Sequence, residues 1–406
     1  MKSLKVTCPE VSLRVYRSPE ADSSSDNCNL EIISLEMRVH SSAVHGFKHL
    51  VNGRAVQLDG VRAIAMLAIC WDHWCPASWP RVFPFEVFLF LFLVLTGYLI
   101  TGSLLRERDR SEARGGAWRA AALKTYQIRR GLRILAPYYA ALAVAWIVRA
   151  PDVIGPGLPW YGFHVSNFHM ALLGYWPSGT NHFWSLAIQQ QFYLIWPFVI
   201  WFLPRRLLVP AILAFTAIGP ASRMFHDFFL QWFVWPQVLT WACFDYFGIG
   251  ALLAVAVHRG MSLESPGLRW LSVAAISGYL GIFGLHALGW PTFGLRAFQQ
   301  SLLAVAWCGF IAAASVGFSG IPRKILEHPA IQRVGQLSYG LYLFHNLAPL
   351  VTGKLCWFLW DGSFENGPGA ILLIVLYAAV TWGLTLASWR WIEQPLQGVR
   401  ARIAPR

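Results

Sequence analysis

The chain has 406 residues, of which 56% are hydrophobic and only 13% are charged. A soluble domain carries about 25% charged residues, so this composition excludes an ordinary soluble protein and indicates a membrane protein. The net charge of +13 could suggest a nucleic-acid partner. The basic residues, however, lie in short segments between long apolar runs, as determinants of membrane topology do. The composition therefore predicts contact with membrane lipid and argues against binding of nucleic acid.

Residues 1–56 form a polar and charged segment with no apolar run of the kind that a signal peptide needs. We expect this segment to be a cytoplasmic N-terminal extension that is poorly ordered. Met37 offers an alternative start, so the sequence leaves the true start codon open.

Ten segments after residue 57 are apolar and long enough to cross about 30 Å of hydrocarbon. The sequence therefore predicts an all-α, ten-span membrane domain over residues 57–397 and a basic cytoplasmic tail over 398–406. The predicted spans are 58–75, 83–105, 134–150, 184–203, 206–222, 236–257, 269–289, 297–318, 334–353 and 369–392.

The distribution of Lys and Arg predicts the orientation of these spans. Nine such residues lie between Arg106 and Arg133, whereas residues 151–182 contain none. Because cytoplasmic loops carry the excess of Lys and Arg, the first segment should lie inside and the second outside. Ten spans with both termini in the cytoplasm satisfy every loop. We therefore expect a protein integral to the bacterial inner membrane.

Ionisable side chains within membrane spans are costly and are candidates for function. Arg62 and His73 lie eleven residues apart in the first predicted span, or about 16 Å along a helix, on nearly the same face. They would place a cation near the inner surface and an acid/base group near the outer surface. The alternative is a snorkelling arginine plus an interfacial histidine, and the spacing does not decide between the two.

A second candidate site lies at the start of the third predicted span. Arg130 and Arg133 are three residues apart and project from one side of a helix. A pair of guanidinium groups suits bidentate recognition of phosphate. The alternative is ordinary anchoring of the span at the cytoplasmic surface.

The remaining polar residues of the spans are each more typical of hydrogen bonds between helices than of catalysis. His164, His169 and His182 in the external segment match no metal-binding motif, and the seven cysteines show no metal-like spacing, so no metal site is predicted. The polar residues in question are Glu86, Gln189, Gln190, Gln191, Asp245, His345 and Glu393.

Seven motifs occur in order along the chain and together resemble one family. They are LDGVRAIAMLAICWDH (58–73), FLVLTGYLITGSLLRERD (92–109), YQIRRGLRILAPYY (126–139), HFWSLAIQQQFYLIWP (182–197), CFDYFGIGALLA (243–254), QLSYGLYLFH (336–345) and SWRWIEQP (388–395). The first is similar to LDGLRAIAVLLVVxxH. The set resembles the acyltransferase family 3 membrane proteins, which O-acylate sugars and related acceptors.

The resemblance implies roles for individual residues. His73 matches the histidine proposed to act as a base, and Arg62 matches the arginine paired with it. Arg130 and Arg133 match the arginine pair thought to bind the phosphates of the donor. Acetyl-CoA is the usual donor of the family and would act here as a co-substrate, with no metal and no bound cofactor.

The chain also departs from the family pattern. Gln189 and Gln190 stand where relatives carry a Glu pair, and the amides lose the charge and basicity of a carboxylate. Phe90 stands where many relatives have Asp, and Glu86, one turn earlier, could compensate. Glu86, Gln189 and Gln190, with Tyr193 and His345, are candidates for supporting roles.

The sequence thus predicts a membrane O-acyltransferase. It would move an acyl group, most simply acetyl, from cytoplasmic acyl-CoA to a hydroxyl of an exported or cell-surface glycan. The acceptor and the acyl chain length cannot be read from the sequence. The alternatives are a secondary transporter and a catalytically degenerate, glycan-binding relative, the latter suggested by the missing Glu pair.

Overall fold

The structure is a computed structural model that describes most of the chain after residue 53. The predictions for the N-terminal extension 1–56 and for Glu86 fall largely or wholly outside the described residues. The described residues are 7–8, 11–12, 50–51, 54–76, 78–79, 85, 87–229, 236–292, 294–355 and 368–403.

Helices make up every long element among these residues, which confirms the predicted all-α class for the described part of the chain. Two short antiparallel pairs complete it: β1 (Thr7–Cys8) with β2 (Val11–Ser12), and β3 (Leu50–Val51) with β4 (Arg54–Ala55). The helices are α1 Val56–Trp74, α2 Val87–Arg114, α3 Arg119–Ile147, α4 Pro151–Ile154, α5 Leu158–Gly162, α6 Ser166–Leu172, α7 Phe183–Phe202, α8 Arg205–Phe229, α9 Phe244–His258, α10 Pro266–Ala287, α11 Leu295–Val316, α12 Gly320–Leu326, α13 Pro329–Gln336, α14 Ser338–Phe344, α15 Ala348–Leu355, α16 Pro368–Ser388 and α17 Gln394–Ile403.

Six helical stretches of the described chain are long and apolar enough to cross a membrane, so the predicted count of ten is not confirmed. They are Val87–Arg114, Arg205–His226, Thr240–His258, Pro266–Ala287, Leu295–Val316 and Gly369–Val399. The helices that correspond to the other predicted spans are more polar or interrupted. α1, for example, carries Asp59, Arg62 and Asp72 within 19 residues. The residues singled out as functional candidates are thus among those that make this helix less apolar.

The predicted ninth span, 334–353, is not one helix. α14 ends at Phe344 and α15 begins at Ala348, with an intervening turn at His345–Leu347. Pro349 has no backbone N–H and therefore cannot donate to the carbonyl of His345. The N–H of Leu347 bonds to the carbonyl of Phe344 at 3.1 Å instead of to that of Leu343. The break releases carbonyl groups that side chains can then bind.

Close approach between helices depends on glycine at two contacts near the centre of the fold. A Cβ added to Gly97 of α2 would lie 2.1 Å from the carbonyl oxygen of Phe247, and one added to Gly250 of α9 would lie 2.1 Å from that of Val94. Neither position can accept a side chain without separating α2 from α9. Small residues at such contacts are typical of helix packing in membranes.

Part of the basic segment 106–133, which covers the end of α2 and the start of α3, has a structural role. Arg108, which is buried, donates to the carbonyls of Ile200 and Leu203 at 2.7 and 2.9 Å. Arg119 donates to the carbonyl of Trp201 at 2.9 Å. These guanidinium groups satisfy carbonyls at the end of α7, where a helix has no further N–H donors and favours cations. Besides its predicted role in topology, the segment therefore binds the end of α7.

Candidate active site

The predicted base, His73, lies in the last turn of α1 and contacts the turn between α14 and α15. Its Nδ1 atom lies 2.8 Å from Nε2 of His345, and the two rings meet edge to edge, with their centres 5.0 Å apart and their planes inclined by only 12°. His73 is exposed, whereas His345 has no solvent-accessible surface. The structure thus brings together two histidines that are 272 residues apart in the sequence.

The released carbonyls of the broken helix hold this pair in place. His345 donates from Nδ1 to the carbonyl oxygen of Tyr342 at 2.7 Å. The indole N–H of Trp74, the residue after His73, donates to the carbonyl oxygen of His345 at 3.0 Å. The end of α1 is therefore fastened to the turn by a side chain from each partner.

A third histidine lies behind the pair. His182 donates from Nε2 to the carbonyl of Leu343 at 3.1 Å, and its ring centre is 4.9 Å from that of His345. Burial lowers the pKa of His182 to about 3. The sequence predicted no role for His182, which the structure places in this cluster. The motif HFWS, which contains it, was the available signal.

Polar contacts in the segment before α7 fix the position of His182. Tyr161 donates from its hydroxyl to a carboxylate oxygen of Asp152 at 2.5 Å, and the same hydroxyl lies 3.0 Å from Oγ1 of Thr180. Asn346 donates to the amide oxygen of Asn181 at 2.6 Å. The stretch 180–182 is therefore held both by its own segment and by the turn that carries His345.

Arg62 lies three turns before His73 on the uninterrupted helix α1, as its spacing predicts. Its guanidinium group forms an ion pair of 2.5 Å with Asp59, which is almost wholly buried. A fixed carboxylate so close to the guanidinium group limits its freedom of movement. Whether Arg62 acts on the donor is not tested by this geometry and stays a prediction.

The predicted phosphate-binding residue Arg130 packs against α7. Its guanidinium carbon lies 4.1 Å from the centre of the Tyr193 ring, and its Nε is buried and makes no hydrogen bond within the described part of the chain. Tyr193 donates to the amide oxygen of Gln189 at 3.3 Å. Arg133 interacts electrostatically with Glu393, which precedes α17. Arg130 and Arg133 of α3 are thus each linked to other candidate residues, Arg130 to Tyr193 and through it to Gln189, and Arg133 to Glu393.

The other polar candidates differ in whether their side chains make hydrogen bonds between elements of the fold. Gln190 is buried, and its Oε1 atom makes no hydrogen bond among the described residues. Gln191 instead donates to Asn167 Oδ1 and to the carbonyl of His164, both at 2.9 Å, and so joins α7 to the segment between α3 and α7. The last of these candidates, Asp245, has no solvent-accessible surface.

Asp245 forms part of a buried ion pair that joins three helices. Arg223 of α8 donates to its carboxylate at 2.6 Å, as does the hydroxyl of Ser301 from α11. Nearby, Phe90 stacks on Tyr246 with ring centres 4.5 Å apart, so the side chain that replaces the aspartate of relatives packs against an aromatic ring. In the part of the chain that is described, no three His, Cys, Asp or Glu side chains are placed to hold a metal ion.

The structure thus places His73 at the end of α1 beside His345, and Arg130 and Arg133 on α3. The acyltransferase domain family matches residues 56–390, and the chain therefore belongs to this family, as the motifs predict. No solved structure matches the chain.

Curated relatives include proteins named for acetyl transfer to peptidoglycan. The chain is 27% identical to peptidoglycan O-acetyltransferase OatA of Listeria monocytogenes over 368 residues, which cover 84% of this chain and 55% of the relative. It is also 27% identical to the putative peptidoglycan O-acetyltransferase YrhL of Bacillus subtilis over 388 residues, or 85% of this chain and 55% of that protein. A putative O-acetyltransferase of Staphylococcus aureus is 30% identical over 165 residues, 35% of this chain and 24% of the relative. The chain spans about half the length of the first two.

Proposed function

We propose that this chain is a membrane O-acyltransferase that moves an acyl group, most simply acetyl, from acyl-CoA to a hydroxyl of an exported or cell-surface glycan. Membership of the acyltransferase family supports the reaction class. The names of the relatives make peptidoglycan the first acceptor to test. Positive-inside counting, which places residues 151–182 and the end of α1 outside, supports a cytoplasmic donor and an external acceptor.

The observation that carries the proposal is the setting of His73. One of its ring nitrogens contacts His345, which is fully buried, while the side chain as a whole remains exposed at the end of α1. A general base must be fixed in orientation and still reach the proton that it abstracts. His73 meets both requirements, and the buried polar residues around it hold that orientation.

The proposed reaction needs only the histidine and the two substrates. The acceptor hydroxyl oxygen attacks the thioester carbonyl carbon while a nitrogen of His73 takes the hydroxyl proton. The carbon–sulfur bond breaks, the acyl group stays on the acceptor oxygen, and the thiolate of CoA leaves with the proton that the imidazolium returns. In a variant of this reaction the acyl group passes first to the histidine and then to the acceptor oxygen, with the same products.

The donor's phosphates would bind at Arg130 and Arg133. A guanidinium group makes two parallel hydrogen bonds to a phosphate, and the Nε of Arg130 is buried without a hydrogen bond among the described residues. The face of Tyr193 supports this guanidinium by a cation–π contact. Arg62, held by Asp59, would stabilise negative charge on the donor.

Gln189 and Gln190 favour a second candidate, a degenerate relative that binds acceptor or donor without turnover. Both residues lack the carboxylates that the family pattern has at these positions. Gln189 bonds to Tyr193 and therefore belongs with Arg130 in the structure. The amides would alter donor binding first, so an inactive chain should still show a change of donor affinity when either is replaced by Glu.

The experiment is acetyl transfer by the full chain in proteoliposomes, with radiolabelled acetyl-CoA and purified peptidoglycan strands. His73→Gln and His73→Ala should each reduce transfer by about 10²–10⁴-fold, the contribution of a positioned base. His286→Gln, at an exposed position on α10, is the matched control and should keep wild-type activity. Activity retained in His73→Gln would exclude proton transfer by this residue. Donor binding without transfer by the wild type would favour the degenerate relative.

A further inference from the structure

The hydrogen bonds of His345 determine which of its ring nitrogens carries hydrogen. The carbonyl oxygen of Tyr342 can only accept, so Nδ1 of His345, 2.7 Å away, must bear the proton. Charging an imidazole that has no solvent-accessible surface is costly. A neutral His345 with hydrogen on Nδ1 has a lone pair on Nε2.

The same reasoning extends to His73 through the 2.8 Å contact. Nε2 of His345 presents a lone pair, so Nδ1 of His73 must donate to it. Neutral His73 then carries its hydrogen on Nδ1 and its lone pair on Nε2. The hydrogen bond made by one ring nitrogen determines whether the other carries hydrogen. The hydrogen-bonded chain runs from His73 through His345 to the carbonyl of Tyr342, and this carbonyl can only accept.

We infer that His345 is a positioning residue that fixes His73 in the Nδ1–H tautomer and directs the lone pair of Nε2 toward the acceptor hydroxyl. The tautomer follows from the hydrogen-bond geometry and the burial of His345, and its catalytic consequence rests on the function proposed above. When Nε2 takes a proton, the imidazolium keeps its hydrogen bond to His345. His345 therefore supports the base throughout the reaction without contacting either substrate.

The broken helix explains why the chain can supply this arrangement. In a continuous helix the carbonyl of Tyr342 would accept from a backbone N–H four residues on, and that of His345 would face a donor at position 349. Pro349 supplies no donor, and the indole of Trp74 binds the carbonyl of His345 instead. At the end of α1 the turn thus offers two backbone acceptors, the carbonyl of Tyr342 to the side chain of His345 and the carbonyl of His345 to the indole of Trp74.

Two substitutions of His345 separate the hydrogen-bond role from the space that the ring fills. The amide of Gln reaches the former position of Nε2, where its oxygen can accept from Nδ1 of His73. The shorter Asn places its amide near the former Nδ1, where it can donate to Tyr342 but ends short of His73. His345→Asn should lower kcat by about 10²-fold, the lower end of what a positioned base contributes, with the KM for acetyl-CoA unchanged. His345→Gln should retain much more of kcat, and similar melting temperatures would show that both variants fold.

The tautomer itself can be measured without turnover. Solid-state NMR of the full chain, labelled with 15N-histidine and reconstituted in lipid bilayers, distinguishes Nδ1–H from Nε2–H. The signal of His73 is assigned by its loss in His73→Gln. We expect Nδ1–H in the wild type and in His345→Gln, and loss of this preference in His345→Asn. An Nε2–H signal in the wild type, or an unchanged signal in His345→Asn, would overturn the inference. The expected signals in a protein with no transferase activity would overturn the proposed function and leave the tautomer assignment standing.

Discussion

The guanidinium carbon of Arg130 lies 4.1 Å from the centre of the Tyr193 ring, so a cation of α3 is held against an aromatic face of α7. Replacing Tyr193 with Phe keeps the ring and removes only the hydrogen bond to Gln189. We expect the KM for acetyl-CoA to change by less than about threefold in this variant. Tyr193→Leu removes the aromatic face, which contributes about 0.5–2 kcal/mol, and should raise that KM by about 2–30-fold. Equal KM values in the two variants would show that the ring does not support donor binding.

The arginine pair itself makes a sharper prediction. Lys carries the charge of Arg but cannot form the two parallel hydrogen bonds of a guanidinium group. Arg133→Lys should therefore raise the KM for acetyl-CoA by about tenfold or more, since a hydrogen bond to a charged group contributes about 1.5–3 kcal/mol. Arg110→Lys is the matched control, because it makes the same exchange at an exposed position of α2 outside the pair. An unchanged KM in Arg133→Lys with normal expression would return this pair to the role of topology anchors.

Pro349 should be needed for the turn that carries His345. Pro349→Ala supplies a backbone N–H that can donate to the carbonyl of His345 and compete with the indole of Trp74. We expect α14 and α15 to become more continuous, kcat to fall by at least about tenfold, and the melting temperature to stay equal or rise. Pro329→Ala, at the start of α13, serves as the control for loss of a proline. Full activity in Pro349→Ala would mean that the turn does not depend on the missing donor.

Much of the site could be predicted from the sequence, because Arg62 with His73 and Arg130 with Arg133 each lie on one helix, where spacing determines which residues share a face. The contact between His73 and His345 joins residues 272 positions apart, and no periodic pattern encodes such a pair. No role was predicted for His182 because it matches no metal-binding motif, although it sits in a family motif. The break at His345 was missed since the high hydropathy of residues 334–353 outweighed the signal of Pro349.

The pH dependence of stability should depend on His164. Burial lowers the pKa of His164 to about 4, below the ordinary value of about 6.5. Below pH 6.5 His164 binds a proton in the unfolded chain, whereas in the folded chain it stays neutral until about pH 4. Stability should therefore fall as the pH drops through this window, by on the order of 3 kcal/mol. His164→Phe keeps a ring against Tyr138 and does not titrate.

Thermal unfolding of the detergent-solubilised chain between pH 4 and pH 8 measures this effect. The melting temperature of the wild type should drop below pH 6.5, and that of His164→Phe should drop less. His286→Phe removes an exposed histidine and should follow the wild type. If the melting temperatures of His164→Phe and the wild type depend on pH in the same way, the expectation that buried His164 is neutral in the folded chain is wrong.

The orientation in the membrane can be tested independently of activity. Positive-inside counting places the segment 106–133 in the cytoplasm and 151–182 outside. Position 156 lies among exposed residues between α4 and α5, and position 114 ends α2 with an exposed side chain. In a background with the seven native cysteines replaced, a membrane-impermeant thiol reagent added to intact cells should label Pro156→Cys and leave Arg114→Cys unlabelled. Permeabilised cells should label both. Labelling of Arg114→Cys alone in intact cells would show the opposite orientation, with the arginine pair outside and His73 inside. That result would contradict a cytoplasmic donor bound at Arg130 and Arg133.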